Sequence, residues 1–298
     1  MSWIALSLLS AFFLGLYDIA KKTSVRDNAV PPVLLVSVIT AAAIWCSVLL
    51  SRPFLPTAWA QPLDQVFQLS TWQHWLLAAK SALVGASWTL AFFSLKHLPI
   101  SIASPIRATS PLWTVLAAIA LMGERPTAIQ LTGMVVVVCA FVLFSRIGQR
   151  EGIHFRRDRW VGAMILATIL GASSALYDKY LLQSELITPI CVQAWFSIYL
   201  VPVMLPMATY WYCKERKSNP FRWRYSIPMI AILLLVTDLV YFTAISMPDA
   251  LISVISPIRR TSVVVPFAFG IVILGERNWR VKALCIVAIL VGVYMLSS

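Results

Sequence analysis

Ten stretches of roughly 20 apolar residues divide this chain, and each is about long enough to cross a bilayer core of about 30 Å. They fall at 3–22, 31–50, 72–95, 100–122, 127–146, 160–182, 188–212, 226–247, 250–274 and 279–297. Together they take up roughly 200 residues of a chain of 298, which leaves no room for an extramembrane catalytic domain. Hydrophobic residues make up 60% and charged residues 12%, against about 45–50% and about 25% in soluble domains, so an ordinary cytosolic enzyme is excluded. The runs are continuous rather than alternating, which excludes a β-barrel. The expected fold class is an all-α membrane protein of ten transmembrane helices.

In a soluble protein a net charge of +12 would point to nucleic acid. Here the excess of Lys and Arg on cytoplasmic loops is the simpler cause, and no nucleic-acid partner is expected. One set of alternate loops carries seventeen Lys and Arg residues, from Lys21, Lys22 and Arg26 through the basic run 146–159 to Arg277, Arg280 and Lys282. The opposite set carries two, Arg52 and Arg125. Both termini are therefore expected outside, with 147–159 and 213–225 cytoplasmic, in a plasma (bacterial inner) membrane. The first span lacks a basic leader and a clear cleavage site and reads as a retained helix. Segment 51–71 mixes Pro53, Pro56 and Pro62 with Phe54, Trp59 and Phe67 and reads as an interfacial segment, with a substrate lid as the other reading. The five cysteines form no CxxC pair, and His74, His97 and His154 form no ligand cluster. No metal, cofactor or nucleophile–base pair is expected, and an enzyme is disfavoured.

The two halves resemble each other. Residues 104–110, Ser-Pro-Ile-Arg-Ala-Thr-Ser, recur at 256–262 as Ser-Pro-Ile-Arg-Arg-Thr-Ser, an offset of 152. Gly123-Glu124-Arg125 recurs at the same offset as Gly275-Glu276-Arg277, and Leu16-Tyr17-Asp18 recurs as Leu176-Tyr177-Asp178 at an offset of 160. Five spans per half is an odd number, so the second half must enter the membrane from the opposite side. Inverted repeats of this kind are a common construction of secondary transporters, which alternate access around a midplane site. The expected units are 1–146, a basic connector at 147–159, and 160–298.

Ten spans in two five-helix repeats, each with Gly-Glu at the end of its fourth helix, resemble the EamA branch of the drug/metabolite transporter superfamily. The motif reads Leu121-Met122-Gly123-Glu124-Arg125-Pro126, with Gln130 and Gly133 downstream. The second copy, Ile273-Leu274-Gly275-Glu276-Arg277, has Ala283 and Leu284 where a following Gly would stand. The resemblance implies a bundle around a central cavity and carriage of small metabolites, without fixing which.

Lys80, Arg107, Arg259, Arg260 and Asp238 lie well inside their spans, and Asp18 and Asp178 nearer the ends. Five charges at helix centres would cost roughly 12–18 kcal/mol against lipid, so they must face a wet or paired interior. Four cations against three anions leave a positive surplus that an anionic substrate would offset. Ser101, Ser104 and Arg107 share one helix face, as do Ser253, Ser256 and Arg259 or Arg260. Pro105 and Pro257 interrupt the two helices at matching places, a pointer to a transporter's site. Tyr17, Tyr177 and Tyr241 lie within a turn of the aspartates and would offer hydroxyls to the cavity. Asp238 either neutralises Arg260 or carries a proton in coupling. At 1.5 Å per residue, Asp18 and Arg107 fall in one layer, and Asp178 with Arg260 or Arg259 in another, where they would act as gates or static salt bridges. Expected partners are a small anionic or zwitterionic substrate bearing carboxylate or phosphate, membrane lipids, and a second copy in a homodimer. The alternative is a translocator of a phosphorylated lipid-linked head group through a cavity open sideways to lipid. A C-terminal reporter active only in the cytoplasm should be silent on this topology; strong activity would reverse the orientation.

Overall fold

A computed structural model of the chain describes residues 3–113, 116, 127–150, 157–245, 247, 255, 258–273 and 279–296. Within them run α1 (Trp3–Val25), α2 (Val30–Ser51), a short α3 (Thr57–Asp64), α4 (Thr71–His97), α5 (Ile100–Ala108) and α6 (Ala128–Arg150). The second half supplies α7 (Arg159–Lys179), α8 (Pro189–Tyr210), α9 (Ser226–Ile245), α10 (Val264–Val272) and α11 (Trp279–Leu296). The segments built on α1, α2, α4, α7, α8 and α9 are six helices long and apolar enough to cross a membrane. Both Gly-Glu motifs lie outside the described residues.

The helices present apolar side chains outward and polar ones inward, as a bilayer demands. On α1, Ile4, Leu8 and Phe12 are exposed at four-residue spacing, while Ser7, Ser10, Tyr17, Asp18 and Lys21 are buried on the other face. On α11, Leu284, Val287, Val291 and Tyr294 face out and Lys282, Cys285, Ile289 and Val293 face in. Local signals start the helices. Pro31 and Pro32 open α2 and Pro189 opens α8, where a missing N–H costs nothing. Ser70 and Gln73 form a capping box ahead of α4.

Packing runs mainly between the halves: α1 against α9, α4 against α7, α2 against α8, and α6 against α11, with α5 against α10. Exchanging each helix for its counterpart by sequence repeat returns the same set of partners. Close approaches depend on glycine. A Cβ on Gly85 would lie 2.5 Å from Val203, and one on Gly15 2.5 Å from Val265.

Three loop assignments are corrected. Lys21 is 2% exposed and Lys282 1%; Lys282 Nζ donates to Ser101 Oγ at 2.8 Å. Lys22 Nζ donates to the carbonyls of Leu95 at 2.7 Å and Leu98 at 2.6 Å, at the end of α4. All three lie within helices, Lys21 and Lys22 near the end of α1 and Lys282 in the first turn of α11, so these cations belong to the bundle; the Lys/Arg asymmetry of the loops keeps its sign without them. Segment 51–71 carries two 3₁₀ turns around α3. Phe54 and Phe67 are exposed and Val66 is buried, its carbonyl accepting from Trp195 Nε1 at 2.7 Å.

Glycine substitution tests this packing. A Cβ on Gly292 would lie 2.9 Å from the Gly133 carbonyl and 2.7 Å from Val137, whereas one on Gly162 meets nothing within 4 Å. Gly292→Ala should cost about 1–3 kcal/mol by overpacking, read as a lower thermal-unfolding midpoint in detergent. Gly162→Ala should be neutral or slightly stabilising.

Candidate functional site

A cavity of about 420 Å³ lies between the halves, walled by α1, α4, α7 and α9 and by Arg107, Arg259 and Arg260. That is room for about fourteen waters or one small metabolite. Its polar wall carries Tyr17, Lys21, Lys80, Arg107, Asp178, Asp238, Tyr241, Arg259 and Arg260. Aromatic rings close the other side: Trp88 meets Phe196 edge-on at 6.0 Å, and Tyr17 lies 6.5 Å from Trp88.

Three carboxylates organise the cations. Asp18 Oδ1 takes Lys21 Nζ at 2.6 Å and the Arg107 guanidinium together. Lys80 pairs with Asp178 across α4 and α7, and Arg259 Nη2 donates to Asp238 Oδ1 at 3.0 Å. Aromatic faces support the same cations: Lys21 stands 4.1 Å over Tyr17, Lys80 4.9 Å over Phe196, and Arg259 3.7 Å over Tyr241. Asp18, Lys21 and Lys80 are buried and Arg107, Asp178, Asp238 and Arg259 part-buried, all joined at hydrogen-bond distance, which is how ions persist in a low-dielectric interior.

The arginines stand where the helices lose regularity. α5 ends at Ala108, one residue after Arg107, and Thr109 N–H reaches back to the Ile106 carbonyl at 3.2 Å. In the second half a 3₁₀ turn spans Thr261–Val263, directly after Arg260. The hydroxyls of Thr109 and Thr261 donate to the carbonyls of Ile106 at 2.7 Å and Ile258 at 2.6 Å, a matched pair at the repeat offset. Irregular turns of this kind are frequent at hinges.

Set against the sequence expectations, Lys80, Arg107, Arg259, Arg260, Tyr17, Tyr241, Asp178 and Asp238 meet around one cavity, and Asp18 pairs with Arg107. Three expectations need correction. Asp178 pairs with Lys80 rather than with Arg259 or Arg260, because α4 and α7 pack along each other. Asp238 pairs with Arg259, not Arg260. Tyr177 faces away from the cavity, donating to the Leu76 carbonyl at 3.2 Å and stacking on Tyr180. Ser104 is buried within α5 and off the cavity wall, and Ser256 lies outside the described residues. Lys21 is the group that sequence reasoning missed. Its signal was the spacing of three from Asp18, which puts both on one helix face.

A second cavity, of about 450 Å³, lies at the end of α1 beside Lys22, Arg26, Asp27 and Arg224. Lys22 and Arg224 there are engaged with the backbone carbonyls of Leu95, Leu98 and Thr23, so they cap helix ends.

A multi-pass helical bundle with a charged interior cavity is the class of protein these features define. Residues 1–146 match the family model described as the EamA-like transporter family. Through that half the chain belongs to the EamA family of the drug/metabolite transporter superfamily, whose members are membrane transporters rather than enzymes, and it is a multi-pass integral membrane protein. A solved structure described as "Crystal structure of protein" aligns over 97% of this chain and 97% of its own, with a TM-score of 0.55 at 17% identity. That likeness speaks to the fold alone. No curated protein matches the sequence.

The shared carboxylate gives a stability test. Asp18→Asn leaves Lys21 and Arg107 without their counter-charge and should destabilise by about 3–5 kcal/mol. Adding Lys21→Met should recover part of that loss. Asp64→Asn, which breaks the exposed pair with Arg52, should leave the unfolding midpoint unmoved. A midpoint unmoved by Asp18→Asn would mean that the buried pair contributes nothing.

Proposed function

We propose that this chain is a secondary transporter that carries a small anionic or zwitterionic metabolite across a bacterial inner membrane by alternating access. The observation that carries the reading is the cavity wall, where Lys21, Lys80, Arg107, Arg259 and Arg260 outnumber Asp178 and Asp238, even when Asp18, which pairs with Lys21 and Arg107, is added. A carboxylate or phosphate entering it would offset cations held away from water, whereas a cation would add to the repulsion. The exchange of helix partners between the halves, together with the five apolar stretches that the sequence offers in each, supports an inverted-repeat construction. The irregular backbone after Arg107 and Arg260 would let the fourth helix of each half pivot at its charge.

Reconstitution in liposomes tests this. An accepted anionic metabolite should raise the unfolding midpoint and accumulate inside, while its uncharged amide or alcohol analogue does neither. Arg107→Gln should weaken uptake at least tenfold with a smaller effect on folding, because Lys21 remains to neutralise Asp18. Equal uptake of the neutral analogue, or normal uptake by Arg107→Gln, would sink the proposal.

A further inference from the structure

The charges of the cavity do not cancel, and where they fail to cancel is specific. Lys80 and Asp178 form one neutral pair, and Arg259 and Asp238 another. Lys21 and Arg107 share the single carboxylate of Asp18, which leaves one positive charge on that cluster. Arg260 has no carboxylate partner among the described residues, and its buried Nε finds no acceptor there. It lines the same cavity, within charge–charge reach of Arg107 and Asp18. Two surplus positive charges therefore face one small volume. Beside them the Tyr17 hydroxyl is buried without a hydrogen-bond partner among the described residues, on the ring over which Lys21 stands.

We infer that the cavity selects a substrate carrying two negative charges on one centre, a phosphate monoester, with Arg260 as its principal contact. This rests on the anion-transport reading above and narrows it. A monoester phosphate offers three acceptor oxygens and close to two charges at neutral pH. The planar Arg260 fork suits two of those oxygens, and the Arg107 edge and the Tyr17 hydroxyl stand ready for the third. The ester body would lie against Trp88, Phe92 and Phe196 on the aromatic wall. A carboxylate would satisfy only half of the surplus. Arg107 and Arg259 are already paired, so Arg260 carries the discrimination.

The test uses the full-length purified protein and probes matched in body but not in charge. Phenyl phosphate and phenyl sulfate are compared by calorimetry in detergent at pH 8, where the phosphate is a dianion and the sulfate a monoanion. Phosphatidic acid and phosphatidylglycerol, a monoester and a diester, repeat the comparison in nanodiscs. Phenyl phosphate should bind at least tenfold more tightly than phenyl sulfate, and Arg260→Gln should bring the ratio within threefold while Arg260→Lys retains most of it. If the preference appears only between the lipids, the phosphate belongs to a lipid head group and the charge assignment still holds. Equal binding of ester and sulfate in the wild type, or a preference that survives Arg260→Gln, overturns the dianion inference and leaves the anion reading standing. Binding of none of the four probes removes both. Should Arg260→Gln fail to fold, the wild-type ratio alone decides, a ratio near one being the overturning result.

Discussion

A charge at bilayer depth cannot be left against hydrocarbon, and much of this structure follows from hiding seven or more of them. Lipid supplies no counter-ion and no hydrogen bond, so the cations turn inward, most of them onto a carboxylate, a carbonyl, a hydroxyl or an aromatic face inside the bundle. Asp18 serves Lys21 and Arg107 at once, Asp178 serves Lys80, and Asp238 serves Arg259. These contacts join α1 to the end of α5, α4 to α7, and α9 to residues 258–260, so they act as registry pins between helices that slide easily on apolar faces. Lys282, reaching Ser101 from α11, pins the helix that packs against α6.

The same constraint produces the cavity. Charges drawn inward from several helices cannot pack as tightly as leucines, and their head groups line a volume that the apolar side chains do not fill. Small residues then bring the outer walls close: Gly15 against Val265, Gly85 against Val203, and Gly292 against Val137. The bundle is dry and close-packed at those contacts and polar at its centre. That division gives a transporter a site that water-soluble substrates can enter.

Much of this was legible in the sequence. Span length pointed to the all-helical class, and the charges within the spans pointed to most of the cavity's charged residues. The depth argument gave the Asp18–Arg107 pair, since both groups lie similar distances from one membrane face. It failed for Asp178, because depth says nothing about which neighbouring helix approaches, and Lys80 on α4 stands closer along the α4–α7 seam. Tyr177 and Asp178 illustrate the finer limit. Adjacent helical residues point about 100° apart, so a cavity that takes Asp178 turns Tyr177 toward Leu76, while in α1 it takes Tyr17. Lys21 stands at the end of its apolar block, where a cation reads as a loop charge, although α1 continues to Val25.

The packing has a twofold pattern, but the charges do not. Lys80 has Ile232 at its repeat counterpart, Asp238 has Ala86, Arg260 has Ala108, and Lys21 has Leu181. If the halves exchange roles to open the opposite face, the second conformation is not the mirror of the first. It must find different partners for the same ions, so the two end states differ in energy without any ligand. An empty carrier of this construction would then have a resting side, set by these four unmatched residues without any cargo.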